Sequence, residues 1–394
     1  MEEPLSREGG FGWVVVCASF VMQACSFGLV SGFGVFFEHY ARVVFPDTTK
    51  AQLSMIGTIA PMTMAFGSAI TGRVCDVIGA RLCVLLGAVF CGMGMFLAGF
   101  ASTVWQLVLT QGLVFGLGGA LVYVPANTVV AEWFVRRRGV AIGIAAAGSG
   151  VGGLVFSLLN GYLLEREGKQ TCLFINAAIL FVMLGGSALV IRSSPKHVAR
   201  PPFKPAALFS PRLVGFAVAM LCAGLSFLVP IYYMPAYATK HGLSPSQGAW
   251  LVGTMNLASA VGRIAFGLLG DFLGHANVFI ASLFLSSLAL LIWHFNTQFS
   301  PLCIFAIIYG LASGGFAGGF SATCAELFGM ENLATIMGVA YAPTGLGDLI
   351  GPTIGGAIID ATGDYHNLII YTMSLFLLSS SLVLLTRFLK PSFH

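Results

Sequence analysis

The sequence is poor in charge. Only 9% of its 394 residues are Asp, Glu, Lys or Arg, whereas 57% are hydrophobic. A soluble domain carries about 25% charged residues, and a water-facing surface cannot be built from so few, which excludes a soluble globular protein. The long apolar runs are instead typical of transmembrane helices, each of which needs about 20 residues to cross a bilayer.

Motifs for metal, redox and catalytic chemistry are also missing. The nine cysteines include no C-x-x-C pair and lie mostly in apolar stretches, where cysteine behaves as a small hydrophobic residue. No H-E-x-x-H, nucleophile elbow or phosphate-binding loop occurs. These absences argue against a membrane enzyme, and the lack of room for an extramembrane domain argues against a receptor. No cofactor, metal or nucleic acid is expected.

The apolar runs predict an all-α membrane protein of twelve transmembrane helices, six on each side of a proline-rich segment. Residues 193–209 hold four prolines and are predicted to be a linker. The predicted domains are therefore an N-terminal six-helix bundle at 1–192 and a C-terminal six-helix bundle at 210–394. The predicted spans are 12–37, 52–72, 82–101, 105–131, 139–163, 171–192, 212–237, 246–270, 277–296, 301–326, 334–360 and 367–388.

The basic residues predict the orientation of the helices. Thirteen of the 19 lysines and arginines fall on the side of the termini and the linker, five fall on the other side, and Arg263 lies within a span. Cytoplasmic loops carry the excess of positive charge in membrane proteins. Both termini and the linker are therefore expected in the cytoplasm of a multi-pass protein, with the plasma membrane as the expected location. The same pattern accounts for the net charge of +4 without a nucleic-acid partner.

Three short segments recur at an offset of about 195 residues. The pattern G-x3-D-x2-G occurs at Gly72–Gly79 and again at Gly267–Gly274. The segment A-E-x-F recurs with Glu132 and Glu326, and G-V-A follows each copy. The repeats indicate two pseudo-symmetric six-helix halves, the layout of alternating-access transporters.

The repeated G-x3-D-x2-G loop, with Arg73 and Arg81 beside its first copy, resembles the loop between helices two and three of the major facilitator superfamily. In that family the Asp caps a helix end and pairs with cytoplasmic Arg, which latches the halves together. The resemblance therefore gives a gating role to Asp76 and Asp271. The further gate or fold-stabilising candidates at inner helix ends are Glu132, Glu326 and Arg136.

Two longer segments resemble the signatures of monocarboxylate transporters within that superfamily. Glu8–Trp13 (EGGFGW) is similar to the signature that opens their first helix, and Trp133–Gly148 is similar to the one at their fifth helix. The short tails and linker resemble the fungal branch, whose cargoes include carboxylates, vitamins and secondary metabolites. The resemblance implies a secondary transporter that exposes one site alternately to each side of the membrane.

Arg263 and Asp348 are charged residues inside predicted spans. A charge at the bilayer centre costs about 2.5–3.5 kcal/mol on insertion scales, so each side chain is expected to face a cavity or a partner. In the monocarboxylate family an Arg at the position of Arg263 binds the substrate carboxylate. The alternative is a structural ion pair between Arg263 and Asp348, and Asp348 is also a candidate for coupling to a proton.

Further polar and aromatic residues are candidates for the cavity wall. Lactate carriers of the family place a Lys in the first helix and an Asp one turn before the Arg, where this chain has Ser31 and Ser259. Their form of lactate–proton symport is therefore not implied. The predicted wall residues are Asn256, Ser321, Phe27, Ser31 and Tyr341.

The sequence thus predicts a transporter of a small organic anion, either a monocarboxylate or a carboxylated metabolite. Its expected partners are the small-molecule substrate, the lipid bilayer and, if transport is coupled, a proton; the sequence does not bear on an accessory subunit. Two alternatives keep the fold and change the cargo: efflux of a larger apolar secondary metabolite, and uptake of a vitamin-like solute.

Overall fold

The computed structural model describes residues 10–134, 138–191, 210–328 and 333–388. The predicted linker at 193–209 lies outside them. Within these ranges the chain forms twelve long helices joined by short turns. The first six are α1 Phe11–Val44, α2 Lys50–Ile78, α3 Ala80–Phe100, α4 104–133, α5 Arg138–Arg166 and α6 Gly168–Val190. The second six are α7 Pro211–Lys240, α8 Pro245–Leu273, α9 His275–Phe295, α10 Phe299–Phe328, α11 Leu333–Thr362 and α12 His366–Phe388.

Ten of the helices in the described ranges are long and apolar enough to cross a membrane. The other two, α2 and α11, are 29 and 30 residues long and pack against each other. At 1.5 Å per residue both are longer than the 30 Å hydrocarbon core of a bilayer. The predicted architecture of twelve helices in two six-helix bundles is confirmed.

Short polar residues and glycines set the helix ends. The side chain of Thr49 accepts from the backbone N–H of Gln52 at the start of α2, and Ser244 does the same with Gln247 at the start of α8. The turns α2–α3 and α8–α9 pass through Gly79 and Gly274, with φ of 84° and 86°. These are the last glycines of the repeated G-x3-D-x2-G pattern, and only glycine adopts such angles without strain.

The twelve helices alternate in direction, so that α1 begins on the side where α12 ends. We call this side the terminal face and the other side the opposite face. The turns after α2 and α8 lie on the terminal face, whereas the starts of α2 and α8 lie on the opposite face. Each loop of the repeated motif therefore lies on the terminal face.

Glycines allow equivalent helices of the two bundles to approach closely. On α5, a Cβ at Gly148 or Gly152 would lie 2.1 or 2.5 Å from the backbone of α1. On α11, a Cβ at Gly347 or Gly351 would lie 2.6 or 2.1 Å from the backbone of α7. Backbone contact of this kind needs residues without a side chain. The same packing thus occurs once in each half, at the spacing of the sequence repeat.

The two bundles contact each other through α5–α8 and α2–α11. A Cβ at Gly150 of α5 would lie 2.4 Å from the carbonyl oxygen of Asn256 in α8, and one at Gly356 of α11 would lie 2.5 Å from the backbone nitrogen of Ala51 in α2. Towards the terminal face this contact ends. Gly143 of α5 and Gly267 of α8, on the facing surfaces by helical periodicity, would place a Cβ with nothing within 4 Å.

Candidate functional site

Arg263 lies on α8 where that helix packs against α5 of the other bundle. Its Nη1 donates to the carbonyl oxygen of Ala146 at 3.1 Å, so the side chain bridges the two halves. Its stem packs on Gly318 of α10, where a Cβ would lie 3.2 Å from the arginine carbons. Its Nε is buried and has no hydrogen-bond partner. A guanidinium offers five donors in a planar fork, so Arg263 retains donors for an anionic ligand.

Two tyrosines, one from each bundle, lie near this guanidinium. Tyr123 of α4 and Tyr341 of α11 both lie within electrostatic range of Arg263. The Tyr123 ring packs on Phe27 of α1 at 5.1 Å between centroids, and the Tyr341 ring packs on Phe320 of α10 at 5.3 Å. The charge therefore lies near two tyrosine hydroxyl groups whose rings pack on phenylalanines, a setting suited to a ligand with both an anionic and an apolar part.

A widened helical turn lies beside these residues. Residues Ala24–Gly28 of α1 form one turn of π-helix, and Phe27 belongs to it. Such turns are frequent at functional sites because they displace side chains from the regular helical pattern. One residue before the turn, the Gln23 amide donates to Asn127 Oδ1 of α4 at 3.1 Å. This bond joins α1 to α4 next to the π-helical turn.

The Asn256 side chain and the backbone of Ser31, two of the predicted wall residues, are engaged in helix packing. Asn256 is 4% exposed, and its amide donates to the carbonyl oxygens of Ser31, at 3.3 Å, and Val252, at 3.0 Å. The bond to Ser31 joins α8 to α1 across the two bundles. Ser321 is exposed and lies one turn after Gly318, on the side of α10 that carries the Arg263 contact.

Asp348 is separate from Arg263. Among the described residues no ion pair joins the two, and neither is among the groups that interact electrostatically with the other. The ion pair offered as the alternative role of Arg263 is therefore not formed in this structure. Asp348 is 7% exposed, and its Oδ1 has no hydrogen-bond partner. The helical positions explain the separation, because Gly347 and Gly351 hold this part of α11 against α7 rather than α8.

Two of the gate candidates on the terminal face, Asp271 and Glu326, have contacts that the structure describes. Asp271 Oδ1 lies 3.4 Å from His275 Nε2, one turn later at the start of α9. Glu326 Oε2 accepts from the backbone N–H of Ala276 at 3.1 Å and so caps α9 within its own bundle. Arg81 is exposed at the start of α3. The side chains of Arg73, Asp76 and Glu132, and the whole of Arg136, lie outside the described part of the chain.

A polar contact that the sequence did not indicate joins the two bundles at the opposite face. The carboxylate of Asp360, near the end of α11, accepts from the backbone N–H groups of Lys50 and Ala51, each at 3.1 Å. The Lys50 ammonium lies 3.8 Å from the same carboxylate. One bundle thus caps a helix of the other. The sequence signal for this contact is an acid, Asp360, near the end of α11 and a base, Lys50, at the start of α2, because both positions lie on the same face.

The model of one transporter family matches almost the whole chain, at residues 14–244 and 214–394, under the description Major Facilitator Superfamily. The chain belongs to the Major Facilitator Superfamily. It is 28% identical to the MFS transporter asaE of Aspergillus flavus, over 96% of this chain and 88% of that protein. It is 29% identical to the fujikurins efflux protein of Gibberella fujikuroi, with 97% and 83% covered. It is 27% identical to monocarboxylate transporter 13 of Rattus norvegicus, with 96% and 89% covered.

Two solved transporter structures have the same fold. The nucleoside transporter NupG superposes with a TM-score of 0.74 at 14% identity, over 95% of this chain and 98% of that one. A bacterial homologue of the lysosomal transporter Spinster gives 0.72 at 16% identity, with 98% of each chain covered. The chain is therefore a multi-pass membrane transporter of the superfamily, related to fungal and monocarboxylate-type members, and not an enzyme.

Proposed function

We propose that this facilitator-superfamily protein carries a small organic anion, a monocarboxylate or a carboxylated metabolite, with Arg263 as the anchor for the carboxylate. The observation that carries the proposal is a bilayer-depth guanidinium with a buried, unpartnered Nε and no acidic partner among the described residues. A charge at this depth is costly unless it serves a partner, and a planar guanidinium forks onto a carboxylate.

Transport would proceed by rocking of the two bundles, residues 1–192 and 210–394, around this site. The described conformation is closed at the opposite face by Asp360 and separates between α5 and α8 towards the terminal face. With the termini in the cytoplasm, as the basic residues favour, this is an inward-facing conformation. The plasma membrane remains our proposed location.

Thermal unfolding of the purified protein in the presence of carboxylic acids tests the proposal. A ligand that binds only the folded state raises its melting temperature. Each acid is paired with its neutral amide, and we expect stabilisation by an accepted acid but not by its amide. In Arg263→Gln the acid should lose about tenfold or more in affinity, because hydrogen bonds to charged groups contribute about 1.5–3 kcal/mol.

Arg166→Gln is the matched control, since Arg166 is exposed at the end of α5 and stacks on Tyr162 far from the site. It should bind the acid as the wild type does. The anchor role is wrong if Arg263→Gln binds every accepted acid as tightly as the parent protein.

A second candidate is efflux of a larger, largely apolar metabolite. It is supported by the two aromatic pairs that flank Arg263, Phe27 with Tyr123 and Phe320 with Tyr341, and by relatives named for the efflux of fujikurins and agnestins. A neutral aromatic compound that displaces the acid, and still binds Arg263→Gln with full affinity, would favour this candidate over the anion carrier.

A further inference from the structure

A second unsatisfied polar site lies in the C-terminal bundle, away from Arg263. Asp348 Oδ1 is buried without a partner, and one turn earlier Thr344 Oγ1 is likewise buried and unpartnered. The two residues are 7% and 2% exposed. An ionised carboxylate in such surroundings is strongly disfavoured unless a cation or proton neutralises it.

The titratable groups near this carboxyl group, among the residues that the structure describes, are tyrosines. Tyr232 of α7, Tyr309 of α10 and Tyr341 of α11 lie within electrostatic range of Asp348. Among the described residues, no lysine, arginine or histidine of the helices packed on α11, including α2 and α12, is in such range. Tyr309 is already committed, since its hydroxyl donates to the carbonyl oxygen of Phe227 at 2.7 Å. Within the part of the chain that the structure describes, Asp348 therefore has no counter-ion.

Tyr232 joins the two bundles through a hydrogen bond to a carbonyl group that lacks its usual helical donor. Its hydroxyl is fully buried and donates to the carbonyl oxygen of Gly57 in α2 at 3.0 Å. Within α2 that carbonyl would accept from the residue four positions later, which is Pro61 and has no N–H. Tyr232 thus satisfies a carbonyl that its own helix leaves without a donor, and the bond ties α7 to α2 two turns from the opposite face.

We propose that Asp348 is a proton-binding site whose charge decides where the Tyr232 hydroxyl donates. With the proton on Asp348, the hydroxyl donates to Gly57 and holds the bundles together, as in the described conformation. When the proton leaves to water, the charged carboxylate becomes the stronger acceptor and draws the hydroxyl away. Gly57 then loses its donor from the other bundle, and opening of the opposite face becomes easier.

This inference rests on the proposed transport function, because it identifies the proton as a second solute that the protein binds. Tyr341 provides the connection, because it lies within electrostatic range of both Asp348 and Arg263. An anion that arrives at Arg263 therefore changes the field at a tyrosine shared with the proton site. Proton and anion would influence each other's binding through that residue.

Spin-label distances across the opposite face test the proposal without any substrate. Labels are attached at Asp47→Cys and Ala361→Cys, which are exposed positions on different bundles, and the distance between them reports the opening of this face. The background carries Cys17→Ser, because Cys17 is an exposed cysteine that would also be labelled. The same background without the added cysteines measures labelling of the other thiols. Between acid and alkaline pH we expect the ratio of long to short distances to rise about two- to tenfold, the range for one hydrogen bond.

Two variants separate the proton site from general effects of pH. Asp348→Asn, close in shape and always neutral, should keep the short distance at every pH. Tyr232→Phe should show a higher long-distance fraction that no longer depends on pH. Asp364→Asn, an exposed acid on the same face, should retain the wild-type response.

The proposal is overturned if Asp348→Asn opens with pH as the parent does, if Tyr232→Phe keeps the full response, or if the parent protein does not respond to pH. Because no substrate is present, failure of Arg263 to bind an anion would leave this measurement unaffected. Anion binding and proton binding can therefore fail independently.

Discussion

Gly148 lies where α5 crosses α1, and a methyl group there has no room. A Cβ at this position would be 2.1 Å from the carbonyl oxygen of Phe20, a backbone atom that cannot move alone. We expect Gly148→Ala to lower the free energy of unfolding by about 1–3 kcal/mol, as overpacking commonly does. Gly185→Ala is the control, because nothing lies within 4 Å of a Cβ there. Thermal unfolding in detergent should leave Gly185→Ala unchanged or slightly stabilised, and equal melting temperatures would contradict the prediction.

At the residue scale the sequence predicts which side chains are unusual but not which of them meet. A charged residue within an apolar span is evident for both Arg263 and Asp348. Their separation depends on the rotation of α8 and α11 about their axes, and backbone contacts at Gly347, Gly351 and Gly318 set that rotation. Glycine spacing shows that close packing exists without showing which helix lies opposite.

Tyr232 illustrates the same limit. The sequence does show that Pro61 leaves the carbonyl of Gly57 without its helical donor. The donor that replaces it comes from a residue 175 positions later, in the other bundle. Local sequence therefore identifies the need for a partner, whereas only the packed structure identifies the partner.

At the scale of whole helices, two carboxylates cap helices to which they are not joined. Asp360 caps α2 of the other bundle, and Glu326 caps α9 of its own bundle. Removing a capping side chain costs about 0.5–2 kcal/mol, so Asp360→Ala and Glu326→Ala should each lower the melting temperature. Of the two variants, only Asp360→Ala should also open the opposite face, because Asp360 contacts the other bundle whereas Glu326 contacts its own.

The two variants are controls for each other in this prediction. Spin labels at Asp47→Cys and Ala361→Cys should show a larger long-distance fraction in Asp360→Ala and the parent distribution in Glu326→Ala. Lys50→Ala should have a smaller effect than Asp360→Ala, since the ammonium is 3.8 Å away and partly exposed. If Glu326→Ala opens the face as much as Asp360→Ala, the opening reports general destabilisation and not loss of a bond between bundles.

The helices themselves could be predicted well from sequence, because apolar length, Ser and Thr caps and the repeated glycines are local signals. The turns at Gly79 and Gly274 have the same φ sign in both halves, as the repeat indicates. Contacts between the halves could not be predicted in this way. Asp360 and Glu326 both lie near the end of a helix, yet one caps across the molecule and the other within its bundle.

At the scale of the whole molecule, both interfaces between the bundles are closely packed near the opposite face, and α5–α8 separates towards the terminal face. Near the opposite face, Gly161 of α5 approaches Ala249 of α8, and Gly356 of α11 approaches Ala51 of α2. Near the terminal face, Gly143 and Gly267 have free space on facing surfaces. A rocking motion that opens the opposite face must bring these terminal parts of α5 and α8 together.

A bulky residue at Gly143 or Gly267 should trap the conformation in which the opposite face is closed. Gly143→Phe and Gly267→Phe should fold, because the described conformation has room for a side chain at both positions. Each should prevent the approach of α5 and α8 and so hold the opposite face closed. We expect the spin-label distance there to stay short at every pH and transport to fall at least tenfold, whereas Gly186→Phe on α6, also with free space, should leave both unchanged. Full transport in Gly267→Phe would mean that α5 and α8 do not close on each other, and the rocking axis would have to lie elsewhere.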